Sequence, residues 1–472
     1  MKTIQYVMIG ALMVGFSVSA VAQEDHKAVI DQVSKIIKAK GADTQKQVND
    51  IFKLNKKNVD VITAIGRAYL DVKDTVNAQK YADLALKRDN HYGEAYILCG
   101  DIQAAKDNGG EAASWYNQAT MMDPKNPEGY RRYALAYSKV SPSSAAAKLE
   151  ELRKQVPGYP VDIIMADIYQ NANKIDKAVE YYKKVDPSKM TEAQIVNFAL
   201  DYFLQGDFSN SLQVASGALQ KYPKSPALNR IAFFDLTNLK RFDEALSYAD
   251  KLFNQSENAK ITESDYLYYG YAYMGKNDYD NAIAMFNKSY ELNTDNEQDK
   301  SDALKNIATA YESKGDLVNA TAAYDKYLKS LKEITAYDLG NLASMYQKHA
   351  ESLKGTEKDE ALKKADEIWG QIADKFPSVA DVATYNRAHI AYSMDPDTKL
   401  GLAKPHYEKL AELINAKSQK SDSDKSRLVE CYRYLGYYYL LKNDKSTSDG
   451  YWHKVLELDP ENATAKQALG IK

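Results

Sequence analysis

The chain has 472 residues, more than one compact core usually organises. It is 44% hydrophobic and 27% charged, with a formal net charge of −3. That balance excludes a disordered low-complexity chain and the basic field that gathers nucleic acid. Tyr is overused, 37 residues against 11 Phe and 3 Trp, while Gly and Pro are sparse at 22 and 12, which suits a mostly helical chain.

At the N-terminus, Lys2 is the sole charge before Glu24, and the run from Ile4 to Val18 is apolar. Ala20-Val21-Ala22 then supplies a small-x-small cleavage pattern. These features predict a secretory signal peptide over residues 1–22, removed after Ala22. The rival is an uncleaved anchor, for which the run is short. No Cys follows it, so no bacterial lipid anchor is expected there, and no later run is long and apolar enough to cross a membrane. The expected address is the periplasm. Residues 25–56 carry Val29, Val33, Ile36 and Ile37, then Val48, Ile51 and Phe52. Their spacings predict a divergent hairpin that caps the N-terminal end of the fold, so 23–58 is read as capping helices.

From residue 59 a motif recurs. Tyr96-x-x-Cys99-Gly100 is followed by Ala112, Tyr116, Ala119 and Pro124; Tyr266-x-x-Tyr269-Gly270-x-x-Tyr273 by Ala282 and Phe286; Tyr432-x-x-Leu435-Gly436-x-x-Tyr439 by Trp452 and Pro460. The pattern resembles the tetratricopeptide repeat, a helix–turn–helix unit of about 34 residues. The resemblance covers residues 59–462 and implies an all-α fold, a right-handed superhelical solenoid of about eleven hairpins. Pattern and composition are also similar to exported repeat proteins of gut Bacteroidetes.

The small residue at the eighth position of each unit serves as a ruler. It falls at Gly66, Gly100, Ala134, Ala166, Ala199, Ala232 or Phe233, Gly270, Ala308, Ala343, Ala388 and Gly436. Positions 4, 7, 8 and 11 make one buried stripe on the first helix of a hairpin, helix A. The small residue lets the second helix, B, approach, and a ring sixteen positions on answers it, as Tyr182 does in the fourth unit and Tyr324 in the eighth. The turns carry Gly or Asn-Asp, as in Lys314-Gly315-Asp316 and Gly275-Lys276-Asn277-Asp278, with Gly expected in the left-handed cap conformation. Pro124, Pro223, Pro377 and Pro460 mark where helix B stops. The sixth unit has one extra residue before Ala245, the ninth an insertion near Glu351–Glu360, and the tenth Asp395-Pro396-Asp397 between its helices. These read as longer helix ends and surface loops. One continuous array is expected, bent if anywhere near 347–365, with a closing helix over 463–472.

No catalytic constellation is present in the sequence. The six histidines, His26, His91, His349, His389, His406 and His453, include no pair at a metal-ligand spacing, and His-Glu-x-x-His, Cys-x-x-Cys and Gly-x-Ser-x-Gly are absent. Gly270-x-x-x-x-Gly275-Lys276-Asn277 falls short of a phosphate loop at its last place and follows no strand signal. Cys99 and Cys431 read as small buried residues rather than a disulfide. No cofactor, no metal and no enzymatic activity are expected.

Function then rests on a binding surface. In the repeat family the inner face comes mainly from helix A, at positions 2, 5, 9 and 12. The resemblance carries this onto Asp60, Thr63, Arg67, Glu128, Arg131, Asp167 and Gln170 in the early units, a mixed polar lining. In the later units it carries onto Leu267, Tyr271, Met274, Tyr337, Tyr385, His389, Tyr392, Arg433 and Tyr437, a markedly aromatic one. Of these, Arg67, Arg131, Leu267, Tyr271, Met274, Tyr337, Tyr385, Tyr392, Arg433 and Tyr437 are the candidate contacts, against the alternative that the tyrosines pack between helices. The clamp that grips acidic chaperone tails is not assembled, because Lys305 holds one position but Thr309 the next. The expectation is a scaffold for a protein or peptide partner. The alternative is a glycan-binding accessory protein of an outer-membrane uptake system, since tyrosine-rich surfaces also stack on sugar rings. A hydrolase or transferase with an unrecognised site ranks last, for want of a domain to house it.

Overall fold

The computed structural model describes residues 20–293 and 296–471. The expected signal peptide lies outside the described residues except for Ala20–Ala22, which open the first helix. Regular structure among the described residues is entirely helical: twenty-five α-helices and three short 3-10 or π turns.

The helices gather into two compact units, the first ending at Tyr222 and the second beginning at Pro223. In the first, α1 (Ala20–Ala39) and α2 (Thr44–Asn55) form the opening hairpin, with Val33, Ile37 and Val48 buried in it. Five hairpins follow: α3 (Val59–Asp71) with α4 (Thr75–Arg88), α5 (Gly93–Ala105) with α6 (Gly109–Met122), α7 (Pro127–Tyr137) with α8 (Pro142–Gln155), α9 (Val161–Asn171) with α10 (Ile175–Tyr182), and α11 (Glu192–Leu204) with α12 (Phe208–Ala218). The second unit holds α13 (Pro226–Asn238) with α14 (Phe242–Asp250), α15 (Glu263–Gly275) with α16 (Tyr279–Leu292), and α17 (Glu297–Lys314) with α18 (Leu317–Ser330). It continues with α19 (Ala336–Glu351) and α20 (Gly355–Lys375), α21 (Ala380–Met394) and α22 (Lys404–Asn415), α23 (Asp422–Leu441) and α24 (Lys445–Leu458), and the closing α25 (Ala463–Leu469). Within each unit every helix packs on its hairpin partner and each second helix on the first helix of the following hairpin, and some successive A helices also touch, α3 with α5, α5 with α7 and α13 with α15. The division falls inside the span that the sequence reads as one array. The insertion near 351–360 goes into helix on both sides of a short connection at 352–354, lengthening α19 and α20 at the end they share.

The eighth-position residues are buried from Gly66 to Gly436, and the reason is steric. A Cβ on Gly100 would stand 2.3 Å from the Tyr116 ring, one on Gly270 2.3 Å from Phe286, and one on Gly436 2.8 Å from Trp452. The sixth hairpin corrects the expectation of an extra residue. In the other regular hairpins the left-handed turn residue comes seven positions after the ruler residue, and here it is Lys240, so Phe233 holds the eighth place. Counted from Phe233, Ala245 is at its regular distance. The small residue has moved to Ala249 on α14, and both Phe233 and Ala249 are wholly buried. Ring and small residue have exchanged helices.

The turns are more uniform than the sequence suggests. Lys73, Asp107, Asn173, Gly206, Lys240, Asn277, Gly315 and Asn443 all take positive φ, and each directly precedes the residue that opens helix B. The next amide reaches back to a carbonyl five residues earlier, as Asp74 does to Tyr69 (2.9 Å) and Asp278 to Tyr273 (3.0 Å). Where that residue is Asp, it caps helix B. Asp74, Asp207, Asp278 and Asp316 accept from the backbone N–H of the Asn three positions on, and from its side-chain amide at 2.7 Å. Gly315 is left-handed as expected, at φ 84°. Gly275 is not: it is the last residue of α15, Asn277 takes the left-handed place at φ 60°, and a Cβ on Gly275 would meet the Phe242 ring at 2.2 Å. Cys99 and Cys431 are free and buried, and burial pushes both thiols up to about 12.

Candidate partner-binding face

In the first unit the expected polar lining is held by its own residues. Asp101, buried on α5, accepts from the Tyr116 hydroxyl at 2.8 Å and pairs with both Arg67 and Arg132. Arg132 also meets Glu128 at 2.8 Å, and Arg131 grips Glu128 through Nε and Nη2, each at 2.8 Å. Burial opposes the Glu128 charge, but the two guanidinium groups outweigh it and hold the carboxyl below its usual pKa. Asp60 accepts from the Tyr92 hydroxyl at 2.5 Å, and Asp167 from Tyr182 (2.9 Å) and Gln194 (2.9 Å). Burial dominates at Asp167 and raises its pKa. Arg67 and Arg131 thus spend their donors on neighbouring side chains, and a ligand would have to displace those bonds.

The second unit treats its candidates differently. Leu267 and Met274 are half-buried and packed on the unit's core rather than presented. Tyr271 keeps 36% of its surface, with its ring edge-on to Phe286 and its hydroxyl accepting from Asn306 at 3.1 Å. Tyr385 is drawn into a polar knot around Glu430, whose carboxylate accepts from Tyr385 (3.1 Å) and Tyr407 (2.8 Å) and bonds His389 Nε2 at 2.6 Å. The Arg427 guanidinium lies 5.0 Å from the centre of the Tyr385 ring. Desolvation works against the Glu430 charge, yet the bonds from His389 and the two tyrosines leave its pKa lowered.

Four candidates remain open. Tyr337 is 72% exposed. Tyr392 on α21 and Tyr437 on α23 are about half exposed, and Arg433, one turn before Tyr437, has no ion pair among the described residues. The α21–α22 loop adds to this group, which the sequence does not foretell. Asp395 is buried and accepts the backbone amides of Leu400 (3.0 Å), Gly401 (2.7 Å) and Leu402 (3.4 Å), closing the loop on itself. Gly401, at φ 76°, lies against the Tyr438 ring, and Lys442 donates to the Lys399 carbonyl at 3.1 Å, so the loop rests on α23. Leu400 is left 73% exposed, and Leu440 and Leu441 are also exposed, one turn beyond Tyr437. Aliphatic side chains, an amphipathic ring and an unpaired guanidinium are what a protein partner can use. The signal in the sequence is the spacing of Leu440 and Leu441 from Tyr437; Leu400 leaves none.

Among the described residues no group of three or more His, Cys, Asp or Glu could hold a metal ion, and no helix is long and apolar enough to cross a membrane.

Models of the tetratricopeptide repeat match residues 269–337 and 163–186. Over 118 residues the chain is 31% identical to the Photosystem I assembly protein Ycf3 of Prochlorococcus marinus, covering 24% of this chain and 67% of that protein. Among solved structures it is similar to the C-terminal part of a TPR repeat-containing protein from Cytophaga hutchinsonii (24% identity, 58% of this chain and 99% of that one, TM-score 0.44). It is also similar to a tetratricopeptide repeat protein from Parabacteroides merdae (17% identity, 53% of this chain and 98% of that one, TM-score 0.33).

Proposed function

We propose, for a chain that belongs to the tetratricopeptide repeat family, that it is a non-enzymatic interaction scaffold holding a protein or peptide partner on the A-helix face of its second unit. The observation that carries this reading is the gathering of Tyr392, Leu400, Arg433, Tyr437, Leu440 and Leu441 on and beside α21 and α23, none of them buried. The bound residues of the first unit serve stability, and the open ones of the second serve recognition. Unpaired Arg433 and the three leucines favour a protein over a sugar, whose rings would want tyrosines flanked by satisfied polar groups. The scaffold works in the periplasm after loss of residues 1–22.

Capture from an extract of the source organism tests this, with the full chain as bait. Wild type should enrich a defined protein, and the Tyr392→Ala/Tyr437→Ala pair should reduce that enrichment by roughly tenfold or more. Equal enrichment by both removes this face from the assignment. Mass spectrometry of the protein from its own cells should find Gln23 at the N-terminus; an intact Met1 would remove the exported address.

A further inference from the structure

The lengthened ninth hairpin makes a cleft that the binding face does not use. His349 lies six residues after Ala343, an offset that in the first, second, seventh and eleventh hairpins falls on Val72, Lys106, Lys276 and Lys442, the first residue past helix A. In α19 the helix runs on to Glu351, so His349 is still helical and forms a wall standing beside α18. Between them lies a cavity of about 360 Å³, lined by Val318, Ala322 and Asp325 of α18, Tyr346 and His349 of α19, and Lys364 of α20. That is the lower end of the size range of small-molecule sites.

The polar groups in the cleft are unevenly satisfied. The Thr321 hydroxyl at its edge is bound to the carbonyls of Leu317 and Val318, both at 3.0 Å. The Asp325 carboxylate is neutralised by Lys329. The Lys364 ammonium lies 5.5 Å from the centre of the Tyr346 ring and has no carboxylate partner among the described residues. Nδ1 of His349 is buried without a hydrogen-bond partner. A buried nitrogen left unpaired costs about 1–3 kcal/mol. The Lys364 ammonium therefore faces the cavity without a carboxylate of its own, beside aliphatic and aromatic walls that the His349 ring completes with its Nδ1 turned away from solvent.

We propose that this cleft binds a small carboxylate: the anionic group on the Lys364 ammonium, and a short apolar body against Val318, Ala322 and the rings of Tyr346 and His349. The carboxylate belongs to a free small acid or to the C-terminus of a peptide, and the chemistry is the same for both. The site stands apart from the partner-binding face and does not depend on it.

The test is nuclear magnetic resonance of the full chain with isotope-labelled histidine, the His349 signals being identified by their loss in His349→Gln. N-acetyl-leucine should shift them saturably, and N-acetyl-leucinamide, which lacks the charge, should not. Lys364→Gln removes the charge and keeps most of the stem, leaving the packing alone; it should weaken binding about tenfold. His349 signals that ignore the acid, that respond equally to the amide, or that bind the acid unchanged in Lys364→Gln overturn the site. Tighter binding of a leucine-terminated peptide with a free C-terminus than of N-acetyl-leucine assigns a chain end; equal or weaker binding assigns a free acid.

Discussion

Tyr116 fills the space that a side chain on Gly100 would need, and it uses that closeness to reach Asp101 with its hydroxyl at 2.8 Å. Gly100→Ala must push the ring away, because the obstructing atoms belong to a stiff side chain that is itself buried. Overpacking of this kind costs about 1–3 kcal/mol, and the Tyr116–Asp101 bond is at risk with it. Gly110 in the first turn of α6 gives the opposite case, since nothing lies within 4 Å of an added Cβ. Gly110→Ala should stabilise by about 0.4–1 kcal/mol by narrowing the unfolded ensemble. Amide exchange across α5 and α6 reads both, faster in the first variant and slower in the second. Changes of the same sign would refute the steric account.

The Asp that opens helix B has a definable weight. Asp278 accepts from the Asn281 backbone at 3.3 Å and its side-chain amide at 2.7 Å. Asp278→Ala should cost about 0.5–2 kcal/mol, whereas Asp278→Asn, an equally good cap, should recover most of it. Chemical denaturation of the two variants separates a cap from a mere charge.

The array is legible because its signal is local and repeated: a small residue, a ring sixteen positions on, a polar turn. What escapes a sequence reading is pairwise. Phe233 looks like an insertion because the small residue that answers it has moved to Ala249, on the other helix. Asn277 takes the left-handed place in a turn where residue type alone would choose Gly275, since Gly275 is needed earlier, against Phe242. The ten candidate contacts are marked by position along helix A, and position does not say whether a side chain is claimed. Arg67 is claimed by Asp101, Tyr385 by Glu430, and Leu267 and Met274 by the core. Leu400 sits in a loop whose course depends on Asp395 binding three amides, and no periodicity could announce that.

Tyrosine recurs throughout the core, so alkali should unfold this protein in a visible way. Burial pushes the phenols of Tyr81, Tyr324 and Tyr434 up to about 12, and holds Tyr92, Tyr116, Tyr182 and Tyr407 higher still. Their folded pKa values lie above the unfolded value of about 10. The stability linked to them is therefore complete below that pH and is lost as pH rises through the folded values. Tyrosinate absorbance should rise in two stages, with the second coinciding with the loss of helical circular dichroism. A single stage preceding any loss of helix would contradict the burial.

Asp201 on α11 works against the fold at high pH. It is 1% exposed, its Oδ2 has no hydrogen-bond partner, and desolvation pushes its pKa up to about 7. The unfolded carboxyl titrates near 3.9. Between those values the folded chain keeps a proton that the unfolded chain releases, so stability is complete at the acidic end and declines as pH rises toward about 7. A tenfold difference in proton affinity between the two states is worth about 1.4 kcal/mol. Asp201→Asn removes the ionisation and nearly keeps the shape. It should therefore stabilise the first unit more at about pH 8 than at about pH 5, measured by denaturant midpoint against wild type at each pH. An advantage independent of pH would mean that the carboxyl is solvated in the folded protein.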